Sequence, residues 1–150
     1  MRIDQRSCLD QGRSCQPFVK FLQDRVDQNF GFFACLEPND ILFIDSSHTV
    51  KFGSDVCYEI LEILPNLNAG VWVHIHDIFL PNDYPSEWLI DRRLALNEQY
   101  LLEAFLAFSS AFTIRLANHW LWQEHLIRAS ELWPGDKAED LSSSFWISRN

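Results

Sequence analysis

Two stretches of the chain are apolar at consecutive positions and then turn abruptly polar: ILFIDSSH at 41–48 and VWVHIHD at 71–77. Short unbroken apolar runs bounded by turn signals read as strands buried on both faces, and Pro38-Asn39-Asp40 supplies the turn before the first. Between the two runs the period changes. Phe52, Val56, Ile60, Ile63, Leu64 and Leu67 recur at helical spacing; Ser46 or Ser47 is available to cap the start and Asn68-Ala69-Gly70 to stop it. This predicts a helix of about five turns from Thr49 onward. Strand, helix and strand of these lengths form a right-handed crossover between parallel strands.

The same reading extends along the chain. FVKFL at 18–22 is a short strand candidate followed by the polar QDRVDQNF, whereas residues 1–17 carry no usable period and read as a loose leader to a domain spanning 18–150. After the irregular FLPNDYPSEW comes a helical stretch at 88–108, broken near Asn97, with Leu101, Leu102, Phe105 and Leu106 on one face. FTIRLA at 112–117 is a strand candidate, residues 120–133 a helix ended by Pro134-Gly135, and SFWIS at 144–148 a last strand. Strands alternating with helices predict an α/β domain.

Composition narrows the function classes. Hydrophobic residues make up 47% of the 150 and aromatics 14%, too apolar for a disordered chain. The formal net charge of -9 works against nucleic-acid binding, which draws its affinity from clustered Lys and Arg. Cys8, Cys15, Cys35 and Cys57 form no C-x-x-C pair and suggest neither a zinc knuckle nor a disulfide framework. No apolar run approaches the roughly 18 residues of a membrane helix, and the N-terminus lacks a signal-peptide apolar region. A soluble protein of the reducing cytoplasm is expected, with a small-molecule partner and neither nucleic acid nor membrane.

The candidate chemistry sits at the strand ends. In open parallel sheets ligands bind outside the carboxyl ends of the strands, and Asp45 and Asp77 stand at two such ends. If those strands are neighbours, the two carboxylates converge on one cation or substrate. Side chains alternate along the second strand, so His74 and His76 share a face; His74 lies deeper and is expected as a core histidine. His76 and His48 lie near the loop ends, where imidazoles do acid–base work or bind metals. A plain alternative for Asp45 and Asp77 is to cap the following turns. Ser46 and Ser47 beside His48 do not make a hydrolase triad, because sequence neighbours rarely hold triad geometry and no G-x-S-x-G elbow is present. His119, Glu124 and His125 on the later helix have no metal spacing and read as a solvated face. The tryptophans at 120, 122 and 133 suit core or interface.

At these residues the chain resembles a known family. The order DILFIDSSH, helix, NAGVWVHIHDIFLP, helix, strand, helix, SSSFWIS is similar to the C-terminal half of a class I S-adenosylmethionine-dependent methyltransferase, over about residues 18–147. The resemblance implies a Rossmann-like doubly wound sheet, mostly parallel with an antiparallel last strand, and incomplete on its N-terminal side. It implies catalytic roles for Asp45, His48 and His76, cofactor contacts from Gln23, Asp24 and Asp45, and a magnesium or other divalent ion held by Asp45, Asp77 and His76. Its activity would be methyl transfer to a hydroxyl of a small molecule or sugar. The family's first strand ends in a Gly-rich turn beside the cofactor, but no G-x-G occurs in this chain. A truncated domain is therefore expected, with an unpaired apolar strand edge open to self-association. Two other readings compete with it. In one, His48, His76 and Asp77 form a triad suited to iron or manganese. In the other, the chain is a non-catalytic interaction protein using the strand edge and the Trp-rich helix.

Overall fold

The computed structural model describes residues 33–124 and 143–150, together with the backbone of residues 19–22. Five strands form one mixed sheet: β1 (Val19–Leu22), β2 (Ile41–Ile44), β3 (Trp72–Ile75), β4 (Phe112–Ala117) and β5 (Phe145–Arg149), in the spatial order β1-β2-β3-β5-β4. β1, β2 and β3 run parallel and β5 lies antiparallel between β3 and β4, which is the expected reversed last strand. The result is the α/β architecture predicted from the alternating pattern, arranged in the Rossmann-like way that the resemblance implied. The predicted strands lie within a residue of those observed.

Side-chain alternation divides the sheet into two faces. Leu42, Ile44, Val73, Ile75, Phe145 and Ile147 point to the main core, where they meet Val56, Ile60, Ile63, Leu64 and Leu102. On the other face Phe43, His74 and Trp146 occupy directly opposed positions of β2, β3 and β5, with ring centroids 4.5 and 4.6 Å from His74. His74 is thus a core histidine, as expected, but held by ring stacking, and its Nδ1 has no hydrogen-bond partner. Burial, aided by the nearby His76, lowers its pKa to about 4, so the ring is neutral at ordinary pH.

The edge of β2 expected to lie open is paired. β1 aligns with it from Val19 opposite Ile41 to Leu22 opposite Ile44. Pairing of two apolar runs explains this: parallel strands buried on both faces satisfy each other's backbone groups wherever a partner is in reach.

The crossover helix differs from its prediction at its start. α1 (Asp55–Tyr58) is capped by Ser54, whose Oγ accepts from Cys57 N at 3.2 Å, rather than by Ser46 or Ser47. Residues 45–54 form an irregular loop, so Phe52, placed on the helix's apolar face by its spacing, is fully exposed. The helix continues through a widened π-type turn at Glu59–Ile63 and a tight turn at Leu64–Asn66. It ends at Asn66, with Leu67 already extended, ahead of the expected Asn68-Ala69-Gly70 stop, and Gly70 turns the chain toward β3. That residue has φ +85° and carries its backbone so close to Pro38 that a Cβ would lie 2.8 Å from the proline's own.

The helical stretch predicted at 88–108 with a break near Asn97 is two helices, α2 (Ser86–Ile90) and α3 (Glu98–Ala107), with residues 91–97 non-helical between them. α4 (Asn118–Glu124) begins two residues earlier than predicted, and its continuation to residue 133 lies outside the described residues. Glu124 is exposed as expected. His119 is not: it is buried edge-on against Phe79 at 4.9 Å, with Nε2 2.9 Å from Gln123 Nε2, so it belongs to the packing of the 79–88 segment. Cys35 is disulfide-bonded, which the cysteine spacing did not announce, and Cys57 is a free thiol. No helix among the described residues is long and apolar enough to cross a membrane.

Candidate active site

Register fixes the site. Ile44 pairs with Ile75, and His76 N donates to Ile44 O at 2.9 Å, so Asp45 and the His76-Asp77 pair emerge side by side at the carboxyl ends of β2 and β3. The backbone then turns sharply at both ends, because His48 and Asp77 each adopt positive φ, +52° and +53°. Non-glycine residues in that region are uncommon and cluster at functional sites. Here the turns aim both side chains over the sheet. His48 Nε2 lies 3.4 Å from Asp45 Oδ1 and 3.7 Å from Asp77 Oδ2. His76 Nδ1 lies 3.1 Å from Asp77 Oδ1 and 3.8 Å from Asp45 Oδ1. The four expected residues therefore form one cluster.

Three consecutive residues at the start of α3 hold the loops around it. Asn97 fixes the first loop: its N donates to His48 O at 3.0 Å, and its Oδ1 accepts from Val50 N at 2.5 Å. Glu98 is fully buried, and its Oε2 sits 2.7 Å from His48 Nδ1. Burial raises the Glu98 carboxyl against the opposing pull of His48, and the bond holds the ring so that Nε2 turns toward Asp45 and Asp77. Gln99 fixes the second loop, accepting from Phe79 N at 3.1 Å and donating to Asn82 O at 3.2 Å. Ser143, just before β5, donates to Asp77 Oδ1 at 2.8 Å.

The electrostatics follow from this packing. Burial works against a proton on His48, but the hydrogen bond to Glu98 and the charges of Glu98, Asp77 and Asp45 outweigh it and raise its pKa. Asp77 draws His76 up in the same way, more strongly than burial lowers it. Burial of Asp77 is in turn outweighed by hydrogen-bond donors at His76 and Ser143, so its carboxyl stays below the usual range. Behind this layer lies a second acid. Glu59, on the widened turn, is fully buried and pushed up to about 8 by burial, with Glu98 and Asp55 adding like charge; the Ser46 hydroxyl lies near enough to oppose the shift without the alignment of a hydrogen bond.

Asp45, His48 and His76 can each offer one atom to a metal ion, all within 4.8 Å of one another. Of the expected metal set, Asp45 and His76 fall in this group with His48, and Asp77 adjoins it. Ile78, which follows Asp77, is buried in the core and offers no ligand atom. Of the divalent ions the resemblance allowed, magnesium takes oxygen ligands almost exclusively, so a group containing two imidazoles does not suit it. Gln23 and Asp24, expected at the cofactor's adenine, lie outside the described residues.

A family model described as a methyltransferase domain matches residues 3–78, half of the 150-residue chain. The chain belongs to this methyltransferase family. The matched span of the methyltransferase ends at Asp77 and Ile78, so it takes in β1, β2, β3 and every cluster residue named from the sequence. No curated protein and no solved structure matches it significantly.

Sequence reasoning missed Glu98, Glu59 and Ser143. Two of them carried a signal. Glu98 stands four residues before Leu102 and seven before Phe105, and Glu59 stands three after Val56 and four before Ile63, so each is a carboxylate on an apolar helical stripe. Ser143 is joined to Asp77 only by the antiparallel return of β5, and nothing local marks it.

Proposed function

We propose that this methyltransferase-family chain carries the acceptor end of an S-adenosylmethionine-dependent O-methyltransferase acting on a small hydroxylated molecule. The observation that supports this most is the meeting of Asp45, His48, His76 and Asp77 above neighbouring parallel strands, where α/β sheets bind their ligands. S-adenosylmethionine, when bound, supplies an electrophilic methyl group on a sulfonium. The chain's residues then have three tasks: to hold the acceptor hydroxyl, to ease the loss of its proton, and to keep water out.

Asp45, the most exposed of the two acids, accepts a hydrogen bond from the incoming hydroxyl and is the described residue best placed to meet the cofactor's ammonium or ribose. His48 Nε2 and His76 Nδ1 face the same space and ease loss of the hydroxyl proton. Glu98 and Asp77 hold the two rings in orientation, a form of preorganisation that costs nothing at the moment of reaction. The segment 79–88, pinned by Gln99 and packed as Phe79 against Tyr84 and Trp88, walls the acceptor side with aromatic surface.

The test is calorimetric titration of the chain with S-adenosylmethionine, followed by transfer of labelled methyl to a panel of small hydroxylated acceptors. Saturable cofactor binding that is lost in Asp45→Ala, and transfer that is lost in His48→Ala, are the expected results. Failure of the wild-type chain to bind the cofactor would leave its family membership standing and remove the activity.

A further inference from the structure

The mismatch between magnesium and the residues present points to a different ion. We propose that Asp45, His48 and His76 hold a divalent transition metal of the manganese-to-zinc series, with Asp77 completing the protein's share of the coordination. This rests on the proposed site and says how that site activates a hydroxyl, but the binding itself is independent of methyl transfer.

Ligand chemistry comes first. Two imidazole nitrogens and carboxylate oxygens suit borderline first-row metals, whereas magnesium and calcium take oxygen ligands almost exclusively. Ligands bound at about 2.1 Å in tetrahedral or octahedral array stand roughly 3–3.5 Å from their neighbours. The Asp45 oxygen is 3.4 Å from His48 Nε2 and 3.8 Å from His76 Nδ1, and the three ligand atoms lie within 4.8 Å of one another, so the two imidazoles must draw together around the Asp45 oxygen to close the set. The remaining positions stay open to a hydroxyl, as a catalytic rather than a structural site requires.

Two further observations point the same way. His76 Nδ1 sits between two carboxylates, 3.1 Å from Asp77 Oδ1 and 3.8 Å from Asp45 Oδ1, where a cation would meet all three. On the opposite side, His48 is backed by Glu98 through its other nitrogen at 2.7 Å. A carboxylate behind a ligating histidine fixes its tautomer and raises its basicity, and such partners recur at metal-bound histidines. Asp77 is likewise oriented by Ser143 at 2.8 Å. His48 and Asp77 thus each have their own support.

The experiment uses the full chain, stripped of metal with a chelator and titrated with cobalt(II). One equivalent per chain should produce ligand-field absorption in the visible, and a thousandfold excess of magnesium should leave that absorption in place. His76→Ala should abolish the one-equivalent break, with the fold checked by circular dichroism. Glu98→Gln should weaken cobalt binding by about 10–100-fold while retaining the spectrum. Absence of a visible band in the wild-type chain, displacement by magnesium, or retention of stoichiometric binding in His76→Ala would each overturn the proposal. Cobalt binding without any methyl transfer would leave it intact and count against the proposed activity instead. Transfer by metal-free chain would do the reverse.

Discussion

Replacing Glu59 by glutamine should make the protein less sensitive to pH, and the size of the effect can be worked from the structure. Glu59 is fully buried beneath the site, its ordinary value of 4.5 pushed up to about 8, chiefly by desolvation. A group whose folded pKa is raised stabilises the fold fully below its unfolded pKa and loses that contribution as pH rises through the folded pKa. The window here runs from 4.5 to about 8. At neutral pH most unfolded chains carry this carboxylate charged while folded chains still hold its proton, so raising the pH from about 5 to about 7 should cost about 2–3 kcal/mol from this residue alone. Glutamine keeps the shape and carries no proton to lose. Urea unfolding followed by tryptophan fluorescence at both pH values measures it. The difference in unfolding free energy between Glu59→Gln and wild type should grow in the variant's favour by about that amount as the pH rises. An unchanged difference would mean that Glu59 is solvated or paired in solution, and the description of a neutral buried acid under the site would be wrong.

Other consequences are as direct. Gly70→Ala places a Cβ 2.8 Å from that of Pro38 at φ +85° and should destabilise the fold by about 1–3 kcal/mol, read as a lower urea midpoint at constant slope. Ser54→Ala removes the acceptor for Cys57 N and Lys51 N and should cost about 1 kcal/mol in the same assay. Ile44→Ala empties a fully buried position directly before Asp45 and should cost about 2–5 kcal/mol, accompanied by loss of ligand binding at the site. Gln99→Ala unties Phe79 N and Asn82 O and should speed amide hydrogen exchange in residues 79–84, with β2 and β3 unaffected.

How much of this was legible depended on whether the information was local. The ILFI and WVHI strands, their parallel pairing and the polar tips at Asp45 and Asp77 follow from hydrophobic runs, turn signals and strand parity, all readable within about a dozen residues. The start of α1 was not, because Phe52 continues an apolar stripe that the chain leaves at Ser54: spacing cannot tell an exposed loop phenylalanine from a helical one. The break between α2 and α3 was visible only as an interruption near Asn97. Its cause is tertiary, since Asn97 and Glu98 bind the loop carrying His48 and Val50 while Gln99 binds the loop at Phe79 and Asn82. His119 was misread for a related reason: its burial comes from Phe79, forty residues away. Glu98 and Glu59 were within reach of the sequence, as acids on apolar stripes, but only the fold shows that both stripes meet under His48.

The central claim is that residues of β2 and β3 share one electrostatic site. Imidazole nitrogen NMR across a pH series, in wild type and in Asp45→Asn, tests it most directly. The Asp45 charge raises both His48 and His76, so its removal should lower the pKa of both rings together while His119, in the aromatic packing of α4, stays where it was. A change confined to one of the two rings, or to neither, would place the residues apart and contradict the account.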